Sequence, residues 1–449
     1  MMKMKRAFRT SLLSLTIALS LIVSACSNNG GAANPSAPDS NSPGTVQEQP
    51  SNGQSDGTTN GDGSSNAIDD EGSSNGATEG HPSGTTNPST PSESSGTGNS
   101  TSPDKTATPV STAASITEVT ALRLADAKTG WIGGSGQIAW TKDGGSHWQL
   151  QYRGSAKVKQ IFALNASKVW AVLGADENKS WRIIRSADGG AHWKDAGTVP
   201  SGSFLHFTSD KVGFAGRYMT KDGGATWTKL GVPSSLIGEV YYHDAANGWA
   251  VQSANGKYNF LRTSDGGATW KTVMSRKSEV TPTGSVIRSA GKNDAWIELI
   301  GASGMTQTSY ALFHTTDGGA KWLPAIVHNT AGAGPAPGFT NEDTSYFGGT
   351  SGGPGELYVV NSQTAFMGGR CMACDNANSI METTDGGKSW SVRKTEFAGY
   401  GQQLIAAADA KHAWLITNDY TSSSVLYTTA DGGKKFSTIH TFAKPKTVQ

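Results

Sequence analysis

The pattern of apolar and polar positions predicts short, half-buried strands from about residue 116 onwards. In Val119-Thr-Ala-Leu-Arg-Leu124 apolar residues alternate with others, which is typical of a strand with one buried face. A Gly-Trp segment, Thr129-Gly-Trp131-Ile-Gly-Gly, predicts a second strand, and Gln137-Ile-Ala-Trp-Thr141 predicts a third. The folded part of the chain therefore begins as a series of adjacent strands joined by short turns.

A turn motif, Ser/Thr-x-Asp-Gly-Gly-x-x-Trp, follows the third predicted strand and occurs seven times. Glycine adopts positive φ without steric cost and aspartate accepts hydrogen bonds from turn amides, so the motif predicts a hairpin turn. The aromatic residue is expected to begin a fourth strand and to pack back on the turn. We assign structural roles to the seven aspartates and the seven aromatic residues: Asp143, Asp188, Asp222, Asp265, Asp317, Asp385, Asp431, Trp148, Trp193, Trp227, Trp270, Trp322, Trp390 and Phe436.

The Gly-Trp segment also recurs seven times, once upstream of each turn motif. Each unit then has four antiparallel strands, and one such unit cannot bury both of its faces alone. Seven units over residues 116–441 predict an all-β fold, a seven-bladed β-propeller of four-stranded antiparallel blades, with residues 442–449 as a tail. Ring closure stays open between side-chain packing and an added outer strand from residues near Thr108–Ser111.

The N-terminus has the features of a signal peptide over residues 1–25. Four positive charges precede an apolar stretch from Leu12 to Val23, which is too short to span a bilayer as a permanent helix. Val23-Ser-Ala-Cys26 resembles the lipobox of bacterial lipoproteins. The resemblance implies cleavage before Cys26 and acylation of its thiol, with palmitate as an expected group. The alternative is an ordinary secretory signal with a chance cysteine.

Residues 26–115 join the predicted lipidated cysteine to a low-complexity segment of Ser, Gly, Asn, Thr and Pro. Such a segment cannot bury enough apolar surface to offset the entropy of ordering, so we predict a disordered linker. As a flexible coil it would span roughly 50 Å root-mean-square. The predicted location is the extracytoplasmic face of the cell membrane, with the protein held by its lipid anchor.

The turn motifs resemble the Asp-box, or BNR, repeats of bacterial sialidases and sortilin-type receptors. Seven boxes, each preceded by a Gly-Trp strand, look most like the photosystem II assembly and stability factor family. The resemblance covers residues 116–441 and implies a seven-bladed propeller that helps to assemble a membrane complex by binding polypeptide. The motifs are specific for architecture, and no residue set in this sequence matches a photosystem-binding patch.

The runner-up function is that of a glycan-binding propeller or a sialidase-like glycoside hydrolase. The resemblance to sialidases would require three arginines in the channel, an acid and a Tyr/Glu pair. Arg123 and Arg288 lie on predicted innermost strands, and Arg217 follows a Gly-Phe strand. The Arg-Ile-Pro element of sialidases is missing, because the nearest segment, Trp181–Arg185, lacks the proline. We expect no enzyme activity, and we assign no catalytic residue, metal ligand or cofactor.

Cys371-Met-Ala-Cys374 is compatible with a redox motif, half of a metal site or a structural disulfide. A second CxxC and a histidine cluster, which would complete a zinc site, are missing from the sequence. Redox motifs normally lie at a helix start in a βαβ unit, which the pattern does not predict. Because exported proteins meet oxidising conditions, we expect a disulfide between Cys371 and Cys374.

The two cysteines fall in the predicted loop between the second and third strands of blade six. The longest insertion, about 327–355, links blades five and six, and these two kinds of loop lie at the same end of a propeller. Long loops on a rigid scaffold often carry function, so we predict a binding face there. The alternative is a Gly-rich insertion with no partner. The predicted members of the face are Phe339, Tyr346, Phe347, Arg370 and Asp375.

The net charge of the chain argues against a nucleic-acid partner. The formal net charge of +1 is far from the strongly basic footprint of a nucleic-acid-binding protein. We therefore predict a non-catalytic, membrane-anchored module for protein interaction or assembly. Its predicted partners are the membrane, through the lipid anchor, and a protein or peptide ligand. The oligomeric state stays open, and so does the choice between a wall polymer and a membrane complex.

Overall fold

The structure is a seven-bladed β-propeller. The computed structural model describes residues 115–174, 181–350 and 352–445. In these ranges twenty-eight strands form seven sheets, each made of four consecutive strands in antiparallel order, which confirms the predicted fold. The predicted signal peptide, Cys26, the linker and Thr108–Ser111 lie outside the described residues. Within the described part, no helix has the length and apolar character needed to cross a membrane.

Each blade runs from its innermost strand, beside the channel, to its outermost strand. Blade one contains β1 (Ala121–Leu124), β2 (Gly130–Gly133), β3 (Gln137–Thr141) and β4 (Gln149–Arg153). Blade two contains β5 (Val158–Ala163), β6 (Val169–Leu173), β7 (Trp181–Ser186) and β8 (Lys194–Val199). Blade three contains β9 (Leu205–Phe207), β10 (Gly213–Ala215), β11 (Tyr218–Thr220) and β12 (Thr228–Lys229), and blade four contains β13 (Tyr241–Tyr242), β14 (Gly248–Ala254), β15 (Lys257–Thr263) and β16 (Lys271–Lys277). Blade five contains β17 (Gly284–Arg288), β18 (Ala295–Ser303), β19 (Thr308–Thr315) and β20 (Leu323–His328). Blade six contains β21 (Gly353–Val359), β22 (Ala365–Arg370), β23 (Asn378–Thr383) and β24 (Ser391–Phe397). Blade seven contains β25 (Gln403–Ala407), β26 (Ala413–Thr417), β27 (Val425–Thr429) and β28 (Ser437–Thr441).

Each turn motif forms the same hydrogen-bond network. In blade three, the Thr220 hydroxyl donates to Asp222 Oδ1 over 2.7 Å and accepts the Gly224 amide over 2.9 Å. The Thr226 amide donates to the same Asp222 oxygen over 2.9 Å, and Gly223 and Gly224 have φ values of 78° and 106°. Hydrogen bonds from Thr226 lower the pKa of Asp222 to about 2. The other six copies repeat these three bonds, so the turn is a property of the motif itself.

The aromatic residues of the two motifs meet between neighbouring blades. The Gly-Trp aromatic residues are at most 2% exposed: Trp131, Trp170, Phe214, Trp249, Trp296, Phe366 and Trp414. In three interfaces the turn-motif tryptophan of one blade packs edge to face on the Gly-Trp residue of the preceding blade, with centroids 5.8–6.3 Å apart: Trp148 on Trp414, Trp322 on Trp249, and Trp390 on Trp296. Such a pair contributes about 0.5–1.5 kcal/mol beyond the burial of its area.

Side chains and a short irregular segment close the ring between blades one and seven. Asn418, 2% exposed, accepts the Val119 amide at Oδ1 over 3.0 Å and donates from Nδ2 to the Val119 carbonyl over 2.7 Å. Phe442 is buried with Trp148 in the same apolar cluster, so the predicted tail begins with a core residue rather than a free end. Each sheet among the described residues uses only its own four strands, and the alternative of an outer strand from Thr108–Ser111 lies outside them.

The contacts of Asn418 predict a large effect of its removal. Asn418→Ala leaves the buried amide and carbonyl of Val119 without partners, and each such group costs about 1–3 kcal/mol. We expect the free energy of unfolding in urea to fall by about 2 kcal/mol or more. Asn361→Ala is the matched control, because Asn361 is exposed and accepts amides only within its own turn. Equal, small losses in both variants would contradict this account of ring closure.

Candidate functional site

The innermost strands of all seven blades surround a central cavity of about 620 Å³. One equivalent position in each innermost strand pairs in register with the Gly-Trp aromatic residue of the same blade. We call these seven residues the channel ring: Arg123, Phe162, His206, Tyr241, Arg288, Tyr358 and Ala406. Six of them line the cavity, and the seventh, Ala406, is too small to reach far into it.

The two arginines of the channel ring lie on aromatic rings. The guanidinium carbon of Arg288 is 3.9 Å from the centroid of Phe204, and that of Arg123 is 4.6 Å from Phe162 and 5.8 Å from Tyr358. Neither arginine forms an ion pair with any described residue. Arg288 donates to the Ile287 carbonyl, whereas the buried Nε of Arg123 has no hydrogen-bond partner in this part of the chain. Most of their donors therefore remain available.

Polar side chains two residues before three of the channel-ring positions accept hydrogen bonds from the backbone of neighbouring blades. Glu239 accepts the Phe204 amide over 3.3 Å, and Glu356 accepts the Ile405 amide over 2.6 Å. Gln160 likewise accepts the Leu205 amide. An innermost strand has no neighbour on its channel side, so these side chains pair backbone groups that would otherwise stay unpaired.

Burial in the channel favours uncharged forms of most titratable side chains. It raises the pKa of Glu356 to about 7, although the Ile405 amide and the charge of Arg288 oppose the shift. Burial lowers the pKa of His206 to about 3 and raises that of Tyr241 to about 12. At neutral pH the channel ring therefore contains two cations and otherwise uncharged side chains.

The three arginines named from the sequence do not converge. Arg123 and Arg288 line the cavity as predicted for innermost strands, but Arg217 lies between β10 and β11, outside the cavity lining. The described residues contain no group of three or more His, Cys, Asp or Glu side chains that is placed to hold a metal ion. The cavity lining therefore presents two cations and several aromatic rings.

A second candidate site lies at one end of the ring. Antiparallel order places the loops between second and third strands, and those leading to the next blade, at the same end. We call this end in blades five to seven the disulfide face, made of loops 304–307, 329–350, 371–377, 398–402 and 418–424. Five of the six large apolar side chains that are exposed among the described residues lie on it: Met305, Tyr346, Met372, Tyr400 and Tyr420.

A disulfide between Cys371 and Cys374 shapes the centre of the disulfide face. The Cys371 amide donates to the Ala377 carbonyl over 2.7 Å, which closes the loop at its base. The Tyr400 hydroxyl donates to the Cys374 carbonyl over 2.9 Å, and Arg370 Nη2 donates to the Tyr400 carbonyl over 2.8 Å. These bonds join the loop of blade six to the segment entering blade seven, beside a cavity of about 550 Å³.

The structure places only part of the predicted binding face at the surface. Tyr346 and Asp375 are exposed, and Arg370 is half-buried at the base of the disulfide loop. Phe339 is 3% exposed and packs on Arg276 and Phe313, so its place is in the core. Phe347 is half-buried against Trp390. These two residues belong under the face, because the insertion folds back onto blades four, five and six instead of projecting.

Four exposed apolar residues of the disulfide face were not among the predicted members: Met305, Met372, Tyr400 and Tyr420. A signal was present for Tyr420, which stands alone in the polar segment Asn418-Asp-Tyr-Thr-Ser-Ser. A large aromatic residue in such a loop has no local core to join. Met372 lies between the two cysteines, where a small loop leaves its side chain no buried place.

No family model and no curated protein matches this chain. Among solved structures, YCF48 bound to D1 peptide is 14% identical and has a TM-score of 0.40, with 72% of this chain and 93% of that chain covered. YCF48 from Cyanidioschyzon merolae is 15% identical over 71% and 94%, with a TM-score of 0.41. A GH74 enzyme from Niastella koreensis is 14% identical over 73% and 66%, with a TM-score of 0.34. Similarity at this level assigns no ligand or activity, and the class of fold rests on the strand pairing.

The raised pKa of Glu356 predicts a pH-dependent stability. Between its ordinary value of 4.5 and about 7, the folded state holds a proton that the unfolded state has released, so the free energy of unfolding falls as pH rises through this window. Glu356→Gln removes this dependence and keeps an acceptor for the Ile405 amide. We expect the variant to gain stability relative to wild type as pH rises from about 5 to about 8 in urea unfolding.

The exposed residue Glu279 provides the control for this measurement, as Glu279→Gln. Its stability relative to wild type should stay constant over the same pH range. A difference between Glu356→Gln and wild type that does not change with pH would contradict the assignment of a raised pKa to this carboxyl.

Proposed function

We propose that the protein is a membrane-anchored, extracytoplasmic β-propeller lipoprotein, a non-catalytic module that binds a protein or peptide partner through the disulfide face. The observation that carries the proposal is the concentration of exposed apolar side chains on this face. Tyr420 is 69% exposed and Met372 48% exposed. Tyrosine and methionine are enriched at protein interfaces and are costly to leave in water in such numbers.

The loops of the face are held in place before any partner binds. Tyr400 is bonded to the disulfide loop, and Tyr346 packs on buried Phe339 with centroids 5.4 Å apart. Asp419 accepts the amides of Thr421 and Ser422 and so fixes the loop that presents Tyr420. A preorganised surface loses little conformational entropy on binding, which favours specific recognition.

Charge on the face favours a polypeptide with basic side chains over an anionic lipid surface. Asp375 and Glu342 are exposed there, and Asp343 and Asp419 are partly exposed. These acids would repel the headgroups of anionic lipids, whereas lysine or arginine on a partner would pair with them. We therefore assign the face to an apolar and basic segment of an extracytoplasmic protein.

The chain enters the propeller at the same end as the disulfide face. Ser424, in a loop of this face, donates from its hydroxyl to the Thr117 carbonyl, which lies just upstream of β1. A lipid at Cys26 would thus connect to this end through the residues between them. If these residues form the linker predicted from the sequence, with a span of roughly 50 Å, a partner in or near the membrane is within reach.

The test replaces exposed apolar residues in the full lipidated chain. Met372→Ser/Tyr420→Ser removes two side chains that make few contacts in the fold, so stability should be retained. The matched control is Lys142→Ser/Lys388→Ser, two exposed positions in turn motifs at the opposite end of the ring. Proteins that co-purify from membranes with wild type are identified, and the affinity of each purified candidate is measured.

We expect the apolar variant to weaken binding of the specific partner by about tenfold or more, and the control to leave it unchanged. Cys371→Ser/Cys374→Ser should weaken binding less, because the loop keeps its backbone hydrogen bonds. Equal affinity for the same partner in all variants would overturn the proposal. The proposal would also be overturned if the apolar variant lost binding to anionic vesicles and kept its affinity for the protein partner, because that result would assign the face to lipid.

A further inference from the structure

We infer that the channel ring is a binding site for an organic carboxylate, separate from the disulfide face. The site is built from Arg123 and Arg288 as the anion-binding groups and from the aromatic residues around them as the walls. It lies in the central cavity, which the innermost strands of all seven blades enclose. This inference does not depend on the function proposed for the disulfide face.

The two arginines have more hydrogen-bond donors than the described residues pair. A guanidinium has five N–H donors and no acceptor. Arg288 uses one of them on the Ile287 carbonyl, and the Nε of Arg123 is buried without a partner among the described residues. Half-buried cations with unused donors are costly, and a bound anion would remove that cost.

Both cations extend from their own blades into the same cavity. Arg288 of blade five lies on Phe204, just before the first strand of blade three. Arg123 of blade one lies near Phe162 of blade two and Tyr358 of blade six. Both arginines line the cavity, which therefore offers two guanidinium groups to an anion.

The carboxyl groups beside the channel already accept backbone amides. Glu239 accepts the Phe204 amide, and Glu356 accepts the Ile405 amide. Burial raises the pKa of Glu356 to about 7, although the charge of Arg288 opposes the shift. Among the described residues neither carboxyl group forms an ion pair with Arg123 or Arg288, so guanidinium donors stay available to a ligand.

The walls of the site select an organic acid rather than inorganic phosphate. Phe162, Phe204, Tyr241 and Tyr358 line the cavity, and two of these rings already stack under the guanidinium groups. Stacking leaves the edges of each guanidinium free for a planar carboxylate, which it binds through two parallel hydrogen bonds. An apolar body next to the carboxylate would pack on the remaining aromatic surface. A cavity of about 620 Å³ accommodates a small organic acid or the end of a peptide.

The test titrates the full chain with pairs of ligands that differ only in charge. Phenylacetate is compared with phenylacetamide, and a peptide ending in phenylalanine with a free C-terminus is compared with its C-terminal amide. Inorganic phosphate is the third probe, and binding is measured by calorimetry. We expect at least one carboxylate to bind about tenfold or more tightly than its amide, and the arm that binds better identifies a free acid or a peptide end as the source.

The variants are Arg123→Gln, Arg288→Gln and Arg288→Lys, with Arg217→Gln as the matched control outside the channel. Each glutamine variant should weaken binding about tenfold or more, because one charged hydrogen-bonding group is lost. Arg288→Lys keeps the charge without the planar fork and should show an intermediate loss, and its thermal unfolding checks that the fold is retained. Arg217→Gln should bind as wild type does.

Three results would overturn the inference. The wild-type protein could bind each carboxylate no more tightly than its amide when ligand concentrations reach about 10 mM, a range that covers even weak dissociation constants. Phosphate could bind as tightly as the carboxylates, which would remove the role of the aromatic walls. Carboxylate binding could also persist unchanged in the Arg123→Gln and Arg288→Gln variants while these unfold at the wild-type temperature.

Discussion

The packing of one blade on the next is the constraint on which the rest of the structure depends. A four-stranded blade has two apolar faces, and the Gly-Trp aromatic residue at its centre is buried only when the next blade covers it. The turn-motif tryptophan supplies this cover, and the Thr-Asp-Gly hydrogen bonds hold the turn from which it packs. In the part of the chain that the structure describes, the last interface, between blades one and seven, forms without a shared strand. Asn418 and Phe442 complete it by pairing the backbone of Val119 and filling the space beside Trp148.

A ring closed in this way leaves two regions for recognition. The innermost strand edges face the channel, where Gln160, Glu239 and Glu356 pair the free amides of neighbouring strands. The arginines between them have no such task. At one end, the loops of blades five to seven contain the disulfide and most of the exposed large apolar side chains. The turn motifs occupy the opposite end, where their aspartates are already engaged in hydrogen bonds. A ligand bound at the disulfide face or in the channel would therefore not compete with the contacts that form the ring.

Local motifs made the fold predictable from the sequence. The residues that meet in the channel were harder to predict, because they come from seven separate blades. The Asp-Gly-Gly turns and Gly-Trp strands specify the same unit seven times, so the number of blades follows from counting. The channel ring depends on the register of seven separate strands, so Arg123 and Arg288 could be placed on inner strands but not brought together on the aromatic rings. Arg217 has the same residue type but follows the second strand of its blade, so it lies between β10 and β11, outside the cavity lining. Phe339 looked like a loop residue because nothing local shows that the insertion folds back onto Phe313.

The central claim is that the disulfide face is where this protein meets its partner. Hydrogen exchange on the full chain, compared between native membranes and the purified lipidated protein in detergent, tests it most directly. The account predicts slower exchange in residues 371–377 and 398–424 in native membranes, with no change in the turn motifs at the opposite end. Slower exchange at the turn motifs, or no difference at the disulfide face, would contradict it.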